Sequence, residues 1–166
     1  MFTLKPLSRP GIPAALQKAE RYRLLNEPWE AESICRDVLA VEPDNQAALI
    51  ALILSLTDQF NRELGPDPAE LKALVGRLGT EYEQLYYAAI IAERHGKARL
   101  ARGGPGAGPV AYEFLRDAMD LYERAERARP AGNDSALLRW NTCARILMRH
   151  ENVRPLAEER VEAQLE

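Results

Sequence analysis

The side chains able to do chemistry are few and scattered. His95 and His150 are the only histidines, and neither lies in a His-Glu-x-x-His motif or beside a Cys/His cluster; no metal site is read from them. His95 is expected near a helix C-terminus, where an imidazolium suits the negative end of the dipole. Cys35 and Cys143 are the only cysteines and form no Cys-x-x-Cys pair. They are read as reduced, buried helix residues, since an unpaired thiol behaves as a small hydrophobe. Ser33, Ser55 and Ser135 lie within or at the starts of helical stretches, and none sits in a Gly-x-Ser-x-Gly elbow. The run Gly103-Gly104-Pro105-Gly106-Ala107-Gly108-Pro109 has the glycines of a phosphate cradle. It lacks the Gly-Lys-Ser/Thr that would complete one, and a helix rather than a strand precedes it. No catalytic residue and no cofactor-binding residue is assigned, and a non-enzymatic protein is expected.

One charged stretch stands out. Arg94, Lys97, Arg99 and Arg102 bring four positive charges, with no acidic residue between the first and the last. The first 83 residues carry 9 basic and 13 acidic groups and the last 83 carry 13 and 12, so positive charge is concentrated locally. Two readings stay open: a solvated helix end, or a docking patch for an acidic peptide, a phosphate or an RNA backbone. Aromatic side chains that could stack on bases near it are limited to Tyr86, Tyr87 and Tyr112. The net charge of -3 over the 166 residues lacks the global signature of a nucleic-acid binder.

The elements that must position these residues are helices. Hydrophobic residues make up 46% and charged residues 28%, a composition able to build a core, and aromatics are only 7%, so Leu, Ala, Ile and Val must build it. There is no sustained period-2 alternation and no Asn-Gly or Asp-Gly hairpin turn. Helices are expected over Pro13–Leu25, Pro28–Val41, from near Asp44 or Asn45 to about Glu63, and Pro68–Leu78 behind the Asp67 cap. A further helix opens at the Thr80/Glu83 capping box. Lys97–Arg102 is compatible with its continuation, and 103–109 is expected to be an irregular, mobile connection. Helix resumes over Val110–Ala128 and Ser135–His150, and Pro155 opens a short last helix. The stretch Ala47–Leu56 is too short to cross a bilayer and the proline-rich amino terminus carries no leader-like apolar run, so a cytoplasmic protein without membrane insertion is expected.

Two helix pairs share a pattern. The first shows Ala19, Tyr22, Asn26, Trp29, Ala31 and Pro43; the later one shows Ala89, Gly96, Ala118, Tyr122, Ala125 and Pro130. This resembles the tetratricopeptide repeat, a helix-turn-helix unit of about 34 residues. Ala118, Tyr122, Ala125 and Pro130 fit the second-helix pattern of that family at every place. In the first unit Cys35 and Val38 stand where an aromatic and an Ala are usual. Pro43 and Pro130 are 87 residues apart, against about 68 for two repeat periods. Most of the excess falls after Gly96, which is taken to stand at the turn.

The resemblance implies an all-α array of antiparallel helix-turn-helix repeats stacked as a short right-handed superhelix. Residues 1–11 would be an N-terminal extension, 12–150 the repeat domain with a basic and Gly-rich insertion at 97–109, and 151–166 a C-terminal helix or cap. In the family the first helix of each unit lines a concave groove. That implies Leu16, Glu20, Arg23, Ile50, Leu54, Tyr86, Ile90, Leu137, Asn141 and Arg145 on the inner wall. One subclass clamps the C-terminal carboxylate of chaperones; the corresponding places here hold Leu16, Glu20 and Ala51, so that clamp is absent. The function implied is an adaptor or scaffold that binds a peptide or helix of a partner protein. The alternative is nucleic-acid or phosphorylated-ligand binding through residues 94–102 and the Gly-rich loop.

Overall fold

Prolines and capping side chains divide the chain into its elements. A computed structural model describes residues 2–61 and 65–156. Among these the chain is all-helical: a short 3-10 turn at Arg9–Gly11 is followed by seven α-helices, and no strand occurs. They are α1 (Ile12–Leu24), α2 (Pro28–Val41), α3 (Gln46–Thr57), α4 (Pro68–Gly76), α5 (Glu81–Arg102), α6 (Ala107–Arg127) and α7 (Ser135–Arg149). None of them is long and apolar enough to cross a membrane. The expected helix after Pro155 falls mostly on 157–166, outside the described residues.

The helix ends have local causes. Asn26, at φ 60°, closes α1: its N–H reaches the Arg23 carbonyl and the Glu27 N–H reaches that of Tyr22, the paired bonds of a left-handed C-cap. Asn45 accepts from the Ala48 N–H at 3.0 Å and Asp67 from the Ala69 N–H at 2.9 Å, each satisfying a donor that a helix start leaves orphaned. Thr80 accepts from the Glu83 N–H at 3.1 Å and donates its own hydroxyl to the Glu83 carboxylate at 2.9 Å.

Two helices are shorter than expected. α3 stops at Thr57 rather than near Glu63: Gln59 and Phe60 tighten into i→i+3 bonds to Leu56 and Thr57, and the Arg94 guanidinium adds donors to the Leu54 carbonyl and the Thr57 hydroxyl there. α4 stops at Gly76 rather than Leu78. Arg77 and Leu78 tighten into i→i+3 bonds, and the Gln46 side chain holds the turn through the Arg77 carbonyl and the Gly79 N–H.

The largest correction concerns 97–109, which is not a loose insertion. Lys97–Arg102 belongs to α5, and Ala107–Pro109 belongs to the first turn of α6, where the missing proline N–H is no loss. The chain reverses within Gly103–Gly106, with Gly103, Gly104 and Gly106 at φ of 68°, 88° and 71°, values costly for residues bearing a Cβ. Arg99 ties the reversal down by donating to the carbonyls of Gly103 (2.7 Å) and Pro105 (3.1 Å). The extra residues therefore lengthen a helical hairpin. Gly96 is not at a turn either. It lies inside α5, where a Cβ would stand 3.2 Å from the Ala111 carbonyl oxygen and 3.1 Å from Leu115. Its bareness is what lets α5 and α6 approach closely.

Consecutive helices pack on one another, and α1, α3 and α5 also touch in sequence. One core joins α1 to α4 around Leu49, Leu52, Ile53 and Leu71; a second joins α5 to α7 around Ile90, Leu115, Tyr122 and Cys143. In α6 the buried residues Ala111, Leu115, Ala118, Tyr122 and Ala125 recur every three or four positions, one stripe of the helical period. Ala19, Ala31, Ala89, Ala118, Tyr122 and Ala125 are all fully buried, whereas Trp29 is 61% exposed and packs as no core aromatic does.

Candidate functional site

The least expected group in the molecule is a carboxylate in the core. Glu93 of α5 is fully buried. It faces inward because it follows Ala89 and Ile90 at the helical spacing, on the same stripe of α5. Three donors surround it. The Tyr122 hydroxyl of α6 reaches Oε2 at 2.6 Å, Arg139 of α7 reaches Oε1 at 3.1 Å, and Lys97, one turn along α5, pairs with the same oxygen. Burial alone would raise the Glu93 pKa; the hydrogen bonds of Lys97 and Tyr122 and the charge of Arg139 outweigh it, and the net shift is downward. The Tyr122 pKa moves far up, from burial and then from the adjacent carboxylate, so the phenol stays a donor. Cys143, behind this cluster, is pushed up to about 12 by burial and then by Glu93.

A second ion network adjoins the first. Asp58, just past α3, accepts from Nε of Arg23 (α1) at 2.9 Å and from Nη1 of Arg94 (α5). Arg94 also donates to the Leu54 carbonyl at 3.0 Å and the Thr57 hydroxyl at 2.6 Å, which makes it the C-terminal cap of α3. The two networks meet at Arg94. Burial lowers its pKa, Asp58 opposes this, and the like charges of Arg23 and Arg139 lower it further. Residues from α1, α5 and α7 and the end of α3 thus share one electrostatic neighbourhood. Their exposed parts make a face on which Arg23, Arg94, Arg139 and Lys97 are 20%, 21%, 34% and 39% accessible.

This arrangement holds buried charge among donors. Glu93 is fully buried among donors that lower its pKa, so the carboxylate is not open to solvent as a base. Cys35, pushed up to about 11 chiefly by burial, is a thiol without nucleophilic character at neutral pH. Among the described residues no group of three or more His, Cys, Asp or Glu side chains could hold a metal ion. An apolar cavity of about 200 Å3 opens between α4 and α5, lined by Leu71, Val75, Ala88, Ile91 and His95.

The expected inner-wall residues divide. Arg23, Leu54 and Tyr86 come to the charged face: Arg23 through Asp58, Leu54 through its carbonyl on Arg94, and Tyr86 beside Arg139. Ile90 does not, being only 2% exposed; it is a core residue and cannot touch a partner. Leu16 packs instead with Ile12 and Val38, and Ile50 against the first core. Glu20 and Arg145 are exposed, Leu137 and Asn141 half-buried.

The basic patch is also corrected. Arg94 caps α3, Lys97 pairs with Glu93, Arg99 fastens the glycine turn, and Arg102 donates to the Phe60 carbonyl at 3.1 Å. All four cations have internal acceptors and do not form one free patch. His95 is no helix-end residue: it lies inside α5, stacked on Phe60 at 3.8 Å and Phe114 at 5.1 Å, and burial lowers its pKa.

The sequence reading missed Glu93, Asp58 and Arg139. Only Glu93 carried a signal, an acid on the apolar stripe of its helix with a lysine one turn on. The chain matches no family model, no curated protein and no solved structure.

Proposed function

We propose that the chain is a tetratricopeptide-like helical-repeat adaptor, without enzymatic activity, that grips a segment of a partner protein on the face offered by α1, α3, α5 and α7. In this reading α1/α2, α3/α4 and α5/α6 are successive helix pairs stacked as a superhelix, and α7 opens the last. The observation that carries it is the convergence of Arg23, Asp58, Arg94 and Arg139, one from each odd-numbered helix or its end, in one half-exposed network. A bundle need not gather polar groups from alternate helices, whereas a stack of hairpins presents alternate helices on one side. The contacts of α1 with α3 and of α3 with α5 agree with this order. A peptide or helix laid across the face would meet half-buried Leu54 and Tyr86 beside the charges, the mixture such grooves use.

The test is capture of a partner by the tagged chain, followed by hydrogen exchange on the purified pair. Protection gained along α1, α3, α5 and α7 supports the reading. Protection confined to α2, α4 and α6 overturns it. So does recovery of nucleic acid alone, lost on nuclease treatment.

A further inference from the structure

We infer that the face formed by Arg23, Arg94, Lys97 and Arg139 takes an acidic internal segment of a protein, read through side-chain carboxylates. The inference rests on the adaptor reading and names the chemistry of its ligand.

The first argument is charge. Among the described residues, four cations on this face form ion pairs with two carboxylates, Asp58 and Glu93, a surplus of two positive charges in those pairs. None of the four is freely solvated, since their side chains are 20–39% exposed. Three of them, Arg23, Arg94 and Arg139, lie within each other's electrostatic reach around Arg94. Like charges held together at partial burial are unfavourable until a counter-charge arrives.

The second argument is donor capacity. A guanidinium has five N–H groups. Toward the described residues Arg23 engages only Nε and Arg94 only Nη1, while Arg139 engages Glu93 through Nη1 and also meets the Tyr86 side chain. The remaining forks match the two oxygens of a carboxylate.

The third argument separates carboxylate from phosphate. Asp58 and Glu93 already sit among the cations, and a dianionic phosphate would meet both at close quarters. Two singly charged carboxylates spaced along a peptide match the surplus with less repulsion. Leu54 and Tyr86, half-buried beside the arginines, also offer apolar surface to the intervening side chains of a peptide. A phosphate backbone has no use for it.

The test is fluorescence anisotropy with the full chain and three labelled peptides capped at both ends, so that no terminal carboxylate contributes. One carries Glu at alternate positions among apolar residues; the others replace Glu by Gln and by Lys. The expected result is binding of the Glu peptide alone, weakened by raising salt from about 50 mM to about 300 mM as screening shortens. Arg23→Gln and Arg139→Gln are each expected to weaken it about tenfold, the loss of one charge-assisted hydrogen bond, with Lys72→Gln on α4 as an unchanged control. Equal binding of the Gln peptide, or full affinity in both arginine variants, overturns the inference. Should either variant fail to fold, the peptide and salt comparisons on the unaltered chain still decide. Polyphosphate or RNA that displaces the Glu peptide at lower concentration overturns it in favour of a phosphate ligand.

Selection from a random peptide display library separates the two levels. Binders without acidic bias that protect α1, α3, α5 and α7 from exchange overturn the acidic ligand and leave the adaptor standing. Binders that protect only α2, α4 or α6 overturn both.

Discussion

Glu93→Gln tests the buried network most directly. The substitution keeps shape and a hydrogen-bond acceptor but removes the charge. Removing one partner of a buried ion pair costs about 3–5 kcal/mol where the other charge is left without water. Here Arg139 and Lys97 keep 34% and 39% of their side chains in solvent, so that cost is discounted to about 2 kcal/mol. The Tyr122 hydroxyl retains an amide oxygen in place of a carboxylate, a further loss of about 1 kcal/mol. The expected destabilisation is therefore about 3 kcal/mol, or roughly 6–12 °C in Tm for a chain of this size. Urea unfolding followed by far-ultraviolet circular dichroism measures it, with an unchanged m-value as the sign that only stability moved.

The pH dependence gives a second reading of the same event. The folded pKa of Glu93 lies below its unfolded value, so its contribution is present above about pH 4.3 and is lost as pH falls through the lower folded pKa. The gap between the original chain and the Glu93→Gln variant should be full at neutral pH and narrow in acid below that point. A loss under about 1 kcal/mol at neutral pH, or a gap that does not narrow in acid, refutes the argument that the charge itself is held by its donors.

Three further perturbations follow from the packing. Gly96→Ala should destabilise by about 1–3 kcal/mol because the methyl meets the Ala111 carbonyl of α6, whereas Gly76→Ala, with open space around it in α4, should stabilise by about 0.5–1 kcal/mol; paired urea titrations check both signs. Cys35 and Cys143, with pKa pushed up to about 11 and about 12, should resist an aromatic disulfide reagent at neutral pH and react promptly in denaturant, read by thiolate release. His95 titrates lower folded than unfolded, so its neutral form favours folding above about pH 6.5 and stability falls as pH drops below that; His95→Phe, stacked in the same place, should flatten stability between pH 6.5 and 5 in urea titrations.

The helix limits were legible where a local rule decided them. Pro28 and Val41 bound α2 as expected, and Asn45, Asp67 and Thr80 cap the next three helices through contacts two or three residues away. Limits set from afar were not legible. The end of α3 carries a donor from Arg94, distant in sequence, and no pattern within α3 announces this. The glycine run misled for a related reason. Glycine marks left-handed conformations equally well in a loose loop and in a tight reversal, and only the facing stripe of α6 shows that the helices continue to it. Gly96 was noticed but misplaced, since a close helix crossing and a turn both call for a missing Cβ.

The charged site shows a more general limit. Between Arg94 and Arg102 the sequence contains cations alone, which reads as a free basic surface. The acceptors that answer them are an acid one residue upstream, one 36 positions away, and backbone carbonyls of the Phe60 and Gly103 regions. The net charge of a window is therefore not the net charge of a site, because folding draws in partners from outside the window. The reverse holds too. Arg23 and Arg139 lie far from the basic run, yet they bring the positive surplus to Arg94 that the run itself gives up to internal contacts. A half-buried surplus is unfavourable in the free chain, whereas the same four cations placed on a fully exposed helix face would be nearly neutral in energy. Pairing with Asp58 and Glu93 offsets part of that cost, and a counter-charge supplied from outside would offset the rest. That is why the unfilled guanidinium forks, rather than the basic run, are the groups to follow in any search for the ligand.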